Sequence, residues 1–355
     1  MTLGQTRLRP VENASAATPI SAPRPDLDWR VCISGIGRYM PQRRVASAEI
    51  EARAGLPAGW ALAHSGVAFR HWASRDEHAS TMGAAAARDA CAQAGVQPRD
   101  MDLILNASGS AERAIPDGGP LLQRELGLGD SGIPSFSVHA TCLSFLAAIE
   151  LASERLHHGR IDRALVVSSE IASVGLDFNS AEVCTLFGDG AAAVVLERAP
   201  AGSTSAIHRV AWLTTGGDAD LTTIRGGGSF RHPHAPETVH EDALFQMQGP
   251  RTLKKVVRLV PRLLQRLVLD EDTRRSVRWV ACHQASRAGL EYVARLGFDN
   301  AVVISTLEQT GNCIAASIPL TIEQGIREGQ IQRGDLGLLI GTGAGLSAAA
   351  MLMTY

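Results

Sequence analysis

Residues 141–168 read TCLSFLAAIELASERLHHGRIDRALVVS, and residues 311–340 read GNCIAASIPLTIEQGIREGQIQRGDLGLLI. Each stretch opens on a short pair, Thr141-Cys142 in one and Gly311-Asn312 in the other. Apolar residues then recur at helical spacing, a glycine ends the helix, and an apolar run of strand length follows. Cys142 to Gly159 is 17 residues, and Asn312 to Gly329 is also 17. Both stretches continue into a glycine-rich turn and a strand of small residues: Gly188-Asp189-Gly190-Ala191-Ala192-Ala193 in the first, Gly341-Thr342-Gly343-Ala344-Gly345-Leu346 in the second. An offset matched through several landmarks indicates a duplicated α/β unit. Duplication puts Cys142 and Asn312 at pseudo-symmetric helix N-termini that face a shared centre.

Working outward, the first half reads as a strand from Arg30, helix 82–94, strand 101–107, helix 121–126, strand 135–139, helix 143–157 and strands 163–169 and 190–196. The second half reads as helix 251–267, strand 277–282, helix 287–295, strand 301–305, helix 313–327 and strands 336–340 and 346–351. Strands alternating with helices predict βαβ units and a mainly parallel sheet. The halves span residues 29–200 and 201–355. Residues 1–28, rich in Pro, Ala, Ser and Thr without periodicity, are expected to form a disordered extension.

The chain has 355 residues, with 34 basic and 36 acidic side chains, so its formal charge is 34 − 36 = −2. That balance argues against a nucleic-acid or anionic-membrane binder. No apolar run reaches the roughly 18 residues of a membrane span. The N-terminus lacks the apolar core of a signal peptide, and the six cysteines include no C-x-x-C pair. A cytoplasmic protein without zinc-ribbon or thioredoxin-like chemistry is expected.

A cysteine at a helix N-terminus feels the positive end of the helix dipole, which favours the nucleophilic thiolate. Cys142 is therefore a candidate nucleophile, the alternative being a small buried hydrophobe. His283 follows the apolar run 277–282 and lies at a strand's C-terminal end, where open α/β sheets place their sites. A hydrogen-bonded structural histidine is the alternative there. Asn312 is either an N-cap or a hydrogen-bond donor to a ligand. Both glycine turns fail the phosphate-loop patterns and read as close-approach turns. No carboxylate-backed histidine spacing supports a metal site among His232, His234 and His240.

Taken in order, Thr141-Cys142, Phe187-Gly188-Asp189-Gly190-Ala191, His283-Gln284-Ala285 and Gly311-Asn312 with Ala315-Ala316-Ser317-Ile318-Pro319 resemble a thiolase-fold condensing enzyme. The nearest likeness is to the β-ketoacyl-acyl-carrier-protein synthase III family, over roughly residues 30–355. That resemblance implies a duplicated βαβαβ core in five layers, α-β-α-β-α, and a homodimer. It implies an acyltransferase that loads an acyl group on Cys142 and condenses it with a malonyl- or β-ketoacyl-type thioester, in fatty-acid or secondary-metabolite biosynthesis. His283 and Asn312 would stabilise the enolate, and the N–H groups of Cys142 and Ala344 would form the oxyanion hole. Acyl-CoA or acyl-carrier-protein thioesters would be substrates, with no further cofactor and no metal.

Asparagine at 312, where aspartate would suit a hydroxyl or amine acceptor, favours carbon–carbon bond formation. Trp60 matches a tryptophan that stacks on coenzyme A adenine, and its usual arginine partner is replaced near Ala181. His64 stands at another basic contact. Ser286 stands where asparagine is usual, and Ile115 where an aromatic side chain caps the partner's acyl pocket. The turn Thr342-Gly343-Ala344-Gly345 is nearer to head-to-head acyl-CoA condensing enzymes, in which an acid reaches in from the partner; Glu112 and Asp117 lie in that region. Non-decarboxylative condensation, acyl transfer to a hydroxyl or amine, and a catalytically silent subunit are the competing readings. Arg251, Lys255, Arg258, Arg262 and Arg266 share one helix face, as a solvated surface or as a dock for an acidic carrier protein.

Overall fold

The computed structural model describes residues 27–355. Of the extension expected over residues 1–28, residues 1–26 lie outside the described residues, whereas Leu27 donates its N–H to the His208 carbonyl at 2.8 Å. The first half supplies strands β1 (Val31–Tyr39), β2 (Leu103–Asn106), β3 (Ser135–Ser137), β4 (Arg163–Glu170) and β5 (Gly190–Arg198). The second supplies β6 (Ala206–Thr214), β7 (Val277–Cys282), β8 (Val302–Ile304), β9 (Leu336–Gly343) and β10 (Ser347–Thr354). The first sheet is ordered β1-β5-β4-β2-β3 and the second β6-β10-β9-β7-β8, so the chain follows the same path twice. In both sheets the first two neighbouring pairs are antiparallel and the last two parallel. The sheets are thus mixed rather than mainly parallel. The second half shows why: the Gly-rich turn is a tight return from β9 into β10, pairing Gly343 with Ser347, and a return that short makes an antiparallel pair.

Six helices fill the layers: α1 (Ala79–Ala94), α2 (Gly118–Glu125), α3 (Ser144–His157), α4 (Gly249–Leu267), α5 (Arg287–Val293) and α6 (Ser317–Arg327). Side chains alternate across each strand, so every sheet offers two apolar faces. Leu103, Leu105 and Val194 of the first sheet and Trp279, Leu339 and Met351 of the second pack in one cluster with Phe145 and Ile149 of α3 and Ile318 and Ile322 of α6. The opposite face of the first sheet, with Ile104, Leu165 and Val195, packs on Met82, Ala86 and Ala90 of α1 and Leu122 of α2. The opposite face of the second, with Val280, Leu338 and Leu352, packs on Leu259, Leu263 and Leu267 of α4. The result is five layers, α-β-α-β-α, with α3 and α6 side by side at the centre.

Both central helices begin with a 3₁₀ turn, Thr141–Leu143 before α3 and Ile314–Ala316 before α6. The expected helix starts at 143 and 313 thus become tight turns, and Cys142 sits inside the first of them. Strand β9 continues through Gly341 to Gly343, where a turn was expected, because this stretch lies against the entry to α3. A Cβ on Gly341 would stand 2.9 Å from Leu143 Cδ2 and 3.1 Å from His283 Cβ. Gly341→Ala should therefore destabilise the fold by about 1–3 kcal/mol, the usual range for overpacking. Gly216→Ala, whose Cβ meets nothing within 4 Å, should leave denaturant unfolding nearly unchanged; equal effects of the two would refute this close approach.

Candidate active site

The two glycine turns cross over. The first-half motif supports the second-half turn: Phe187 bridges Asn312, the Asn312 N–H donates to the Leu186 carbonyl at 2.9 Å, and the Gly188 N–H donates to the Asn312 carbonyl at 3.2 Å. The second-half motif supports the first-half turn: Thr141 Oγ1 donates to the Ala344 carbonyl at 3.3 Å, and a Cβ on Gly343 would lie 2.8 Å from Thr141 Oγ1. Cys142 and Asn312 are thus held by each other's half. Residues Thr141 and Ile314 both take positive φ, 51° and 46°, a strained conformation for side chains with a Cβ.

Cys142 packs against an apolar cluster that includes Phe187, Leu307 and Ile314. Phe187 and Phe245 stack with ring centres 4.4 Å apart. Burial pushes the thiol up to about 12, while hydrogen bonding from the main-chain N–H groups of Ala344 and of Cys142 itself pulls the other way. The thiolate expected from the helix N-terminus is therefore outweighed by desolvation. The main-chain N–H groups of Cys142 and Ala344 both lie near this sulfur.

His283 ends the second parallel ladder: its N–H bonds the Ile340 carbonyl at 3.0 Å. The residue is 8% exposed, and buried Nδ1 has no hydrogen-bond partner among the described residues. Burial lowers its pKa to about 4, and the Ile314 main chain raises it only in part, so the ring is neutral near pH 7. Gln284 links this residue to the Asn312 segment. Its Oε1 accepts from the N–H groups of Thr306 and Leu307, both at 3.1 Å, and its Nε2 donates to the Cys282 carbonyl at 2.8 Å.

Asn312 is 4% exposed. Its Oδ1 accepts from the Ile314 N–H at 2.8 Å and from Ser317 Oγ at 3.4 Å. Because the oxygen is committed, the amide orientation is set, and Nδ2 is left to donate elsewhere. Cys142, His283, Asn312 and Ala344 thus meet at one junction.

The remaining sequence candidates divide. Trp60 stacks on His64 at 4.2 Å, and its helix meets α5, since the Arg287 N–H donates to the Ser65 carbonyl at 3.3 Å. Ser286 caps α5 by accepting from the Gly289 N–H at 3.1 Å. Ile115 is 88% exposed. Glu112 accepts from the Ser80 N–H at 2.8 Å at the start of α1, and Asp117 from the Gly119 N–H at 3.0 Å at the start of α2, so both acids cap helices of their own chain. On α4, Lys255 pairs with Asp218 at 2.7 Å and Arg266 donates to the Trp212 carbonyl at 2.9 Å, while Arg258 and Arg262 are exposed. Among the described residues no group of three His, Cys, Asp or Glu is placed to hold a metal, and no helix is long and apolar enough to cross a membrane.

Glu170 was not singled out in the sequence. It is a buried acid that ends β4 beside this junction. A carboxylate closing the apolar run RALVVSSE at a strand's C-terminal end was the available signal.

A five-layer duplication with cysteine and asparagine at opposed helix entries and histidine at a strand end is the arrangement of a thiolase-fold condensing enzyme. Residues 136–216 match the family model described as 3-oxoacyl-[acyl-carrier-protein (ACP)] synthase III, and residues 271–355 its C-terminal counterpart. The chain is 34% identical over 325 residues to the β-ketoacyl-[acyl-carrier-protein] synthase III of Neisseria meningitidis, covering 91% of this chain and 98% of that one. The solved 3-oxoacyl-(acyl carrier protein) synthase III of Pseudomonas aeruginosa PAO1 is similar with a TM-score of 0.80 at 26% identity, covering 92% of this chain and 98% of that one. The priming β-ketosynthase of the R1128 polyketide pathway gives 0.81 at 26% identity, covering 94% and 99%. The chain belongs to the β-ketoacyl-acyl-carrier-protein synthase III family, an acyltransferase family.

Because burial disfavours the imidazolium, the His283 ring resonances in an NMR titration should hold their neutral positions from pH 8 down to about 5 and move only toward 4. A midpoint near the ordinary histidine value of about 6.5 would show that the ring is solvated.

Proposed function

We propose that this enzyme carries an acyl group on Cys142 and extends it with a malonyl-type thioester. The observation that carries the reading is the fixed amide of Asn312, whose Nδ2 is free to donate next to a neutral His283. Cys142 Sγ attacks the acyl thioester, and the carbonyl oxygen takes up charge facing the N–H groups of Cys142 and Ala344. The carrier thiol leaves with the proton of the cysteine. The malonyl thioester then presents its carbonyl to His283 and Asn312. Loss of carbon dioxide leaves an enolate whose oxygen these two neutral donors stabilise. Its carbon attacks the acyl-cysteine carbonyl, the new carbon–carbon bond forms, and the cysteine sulfur leaves and is reprotonated. An imidazolium is not required, which agrees with a site that disfavours charge.

Acyl-CoA and acyl carrier protein are the proposed carriers, with Trp60 and Ser286 on the rim that receives them and exposed Arg258 and Arg262 facing an acidic carrier surface. A homodimer is proposed from the free edge of β3 and the exposed Ile115. The enzyme is proposed to work in the cytoplasm without a further cofactor.

Intact-protein mass spectrometry after incubation with a panel of acyl-CoAs should show one acyl group on the wild type and none on Cys142→Ala. His283→Ala and Asn312→Ala should still load, yet release carbon dioxide from malonyl thioesters at least 100-fold more slowly, given what one oxyanion donor is worth. Loading that persists without Cys142, or undiminished decarboxylation without His283 and Asn312, would overturn these roles.

A further inference from the structure

The reaction above makes no use of the Glu170 carboxylate, which is fully buried and forms no ion pair among the described residues. Oε1 accepts from the Gly109 N–H at 2.5 Å; Oε2 accepts from the Ser110 N–H at 3.0 Å and from Ser110 Oγ at 2.5 Å. The Ala315 main chain also faces it and favours its charged form. Three donors, two N–H groups and a hydroxyl, bond the carboxylate with no cation beside it among the described residues, and such bonds strengthen when the acceptor is charged.

The main chain around the carboxylate belongs to two separate segments. Gly109 backs the nucleophile turn, since a Cβ there would stand 2.9 Å from the Thr141 carbonyl oxygen and 2.5 Å from Ile314 Cγ2. Ala315 belongs to the 3₁₀ turn whose Ile314 N–H fixes the Asn312 amide. A single side chain, rooted in the first sheet, therefore grips the backing of the cysteine turn and the turn that aims the asparagine. We propose that Glu170 is a positioning residue that fixes the spacing of Cys142 and Asn312 through this double grip, without touching substrate.

The ionisable groups facing this carboxylate are the Cys142 and Cys313 thiols, both pushed up by its charge. Its own pKa is raised by burial to about 7, with the Gly109, Ser110 and Ala315 groups around it opposing that rise. Glutamine keeps the shape but replaces one acceptor oxygen with a donor that would face an N–H group. Alanine removes both grips, and aspartate keeps the charge on a shorter stem.

The inference rests on the proposed loading and condensation, so the test has a branch that does not. Wild type, Glu170→Gln, Glu170→Asp and Glu170→Ala are compared with an acyl-CoA the wild type accepts and malonyl-CoA. We expect kcat to fall on the order of 10–100-fold in Glu170→Gln and Glu170→Ala. Glu170→Asp should retain more activity than Glu170→Gln, and KM should change little. Separately, iodoacetamide alkylation of Cys142, followed by peptide mass spectrometry across pH, should show its midpoint at lower pH in Glu170→Gln, because a negative charge facing the thiol has gone. Wild-type kcat together with an unmoved alkylation midpoint in Glu170→Gln would overturn the inference. A wild type that loads no acyl group would overturn the functional reading, leaving the alkylation profile to decide the role of Glu170.

Discussion

Two helix-entry turns, one from each copy of a duplicated unit, are pressed together where the two sheets end, and the rest of the molecule depends on that contact. It is possible because Gly341 and Gly343 present no side chains to Leu143, His283 and Thr141. The supporting hydrogen bonds run crosswise: Phe187-Gly188 holds the asparagine turn, and Gly343-Ala344 holds the cysteine turn. Neither half could set Cys142 or Asn312 in place by local structure alone. The large shared core around α3 and α6 supplies the force that keeps the turns in register.

Dryness is the second consequence. Burial drives the Cys142 thiol up and the His283 imidazole down, so both are neutral in the resting enzyme. A neutral site loses nothing for condensation chemistry, in which charge appears only on the oxygen of an oxyanion or an enolate. Donors fixed in a low-dielectric site act strongly on such transient charge, because they need not reorganise when it forms. Glu170, the acid beside this site, is wrapped in hydrogen bonds that oppose the rise burial imposes on its pKa.

Much of this was legible in the sequence. The 17-residue offsets revealed the duplication, and the strand order in the two sheets repeats along the same path. The sequence also marked Cys142, His283 and Asn312, because each follows a strand or opens a helix. What it could not reveal depends on contacts between distant segments. The mixed direction of the sheets is set by the return from β9 into β10, whereas alternating helix and strand patterns suggest parallel crossovers. The thiol's high pKa comes from burial, with the Glu170 carboxylate adding to it, and neither is visible in the residues next to Cys142 in the chain. Glu112 and Asp117 lie in the region expected of a cross-dimer acid, and the structure places Glu112 on the Ser80 N–H at the start of α1, a contact the local sequence does not show.

The central claim is that one sulfur receives the acyl group with its carbonyl oxygen in a cradle made by both halves. The most direct test is a crystal structure of the protein after reaction with an acyl-CoA that it accepts. The account requires continuous density from Cys142 Sγ, the carbonyl oxygen directed at the N–H groups of Cys142 and Ala344, and Asn312 Nδ2 and His283 facing the space beside it. An acyl group on any other residue, or a carbonyl oxygen turned away from Ala344, would contradict it.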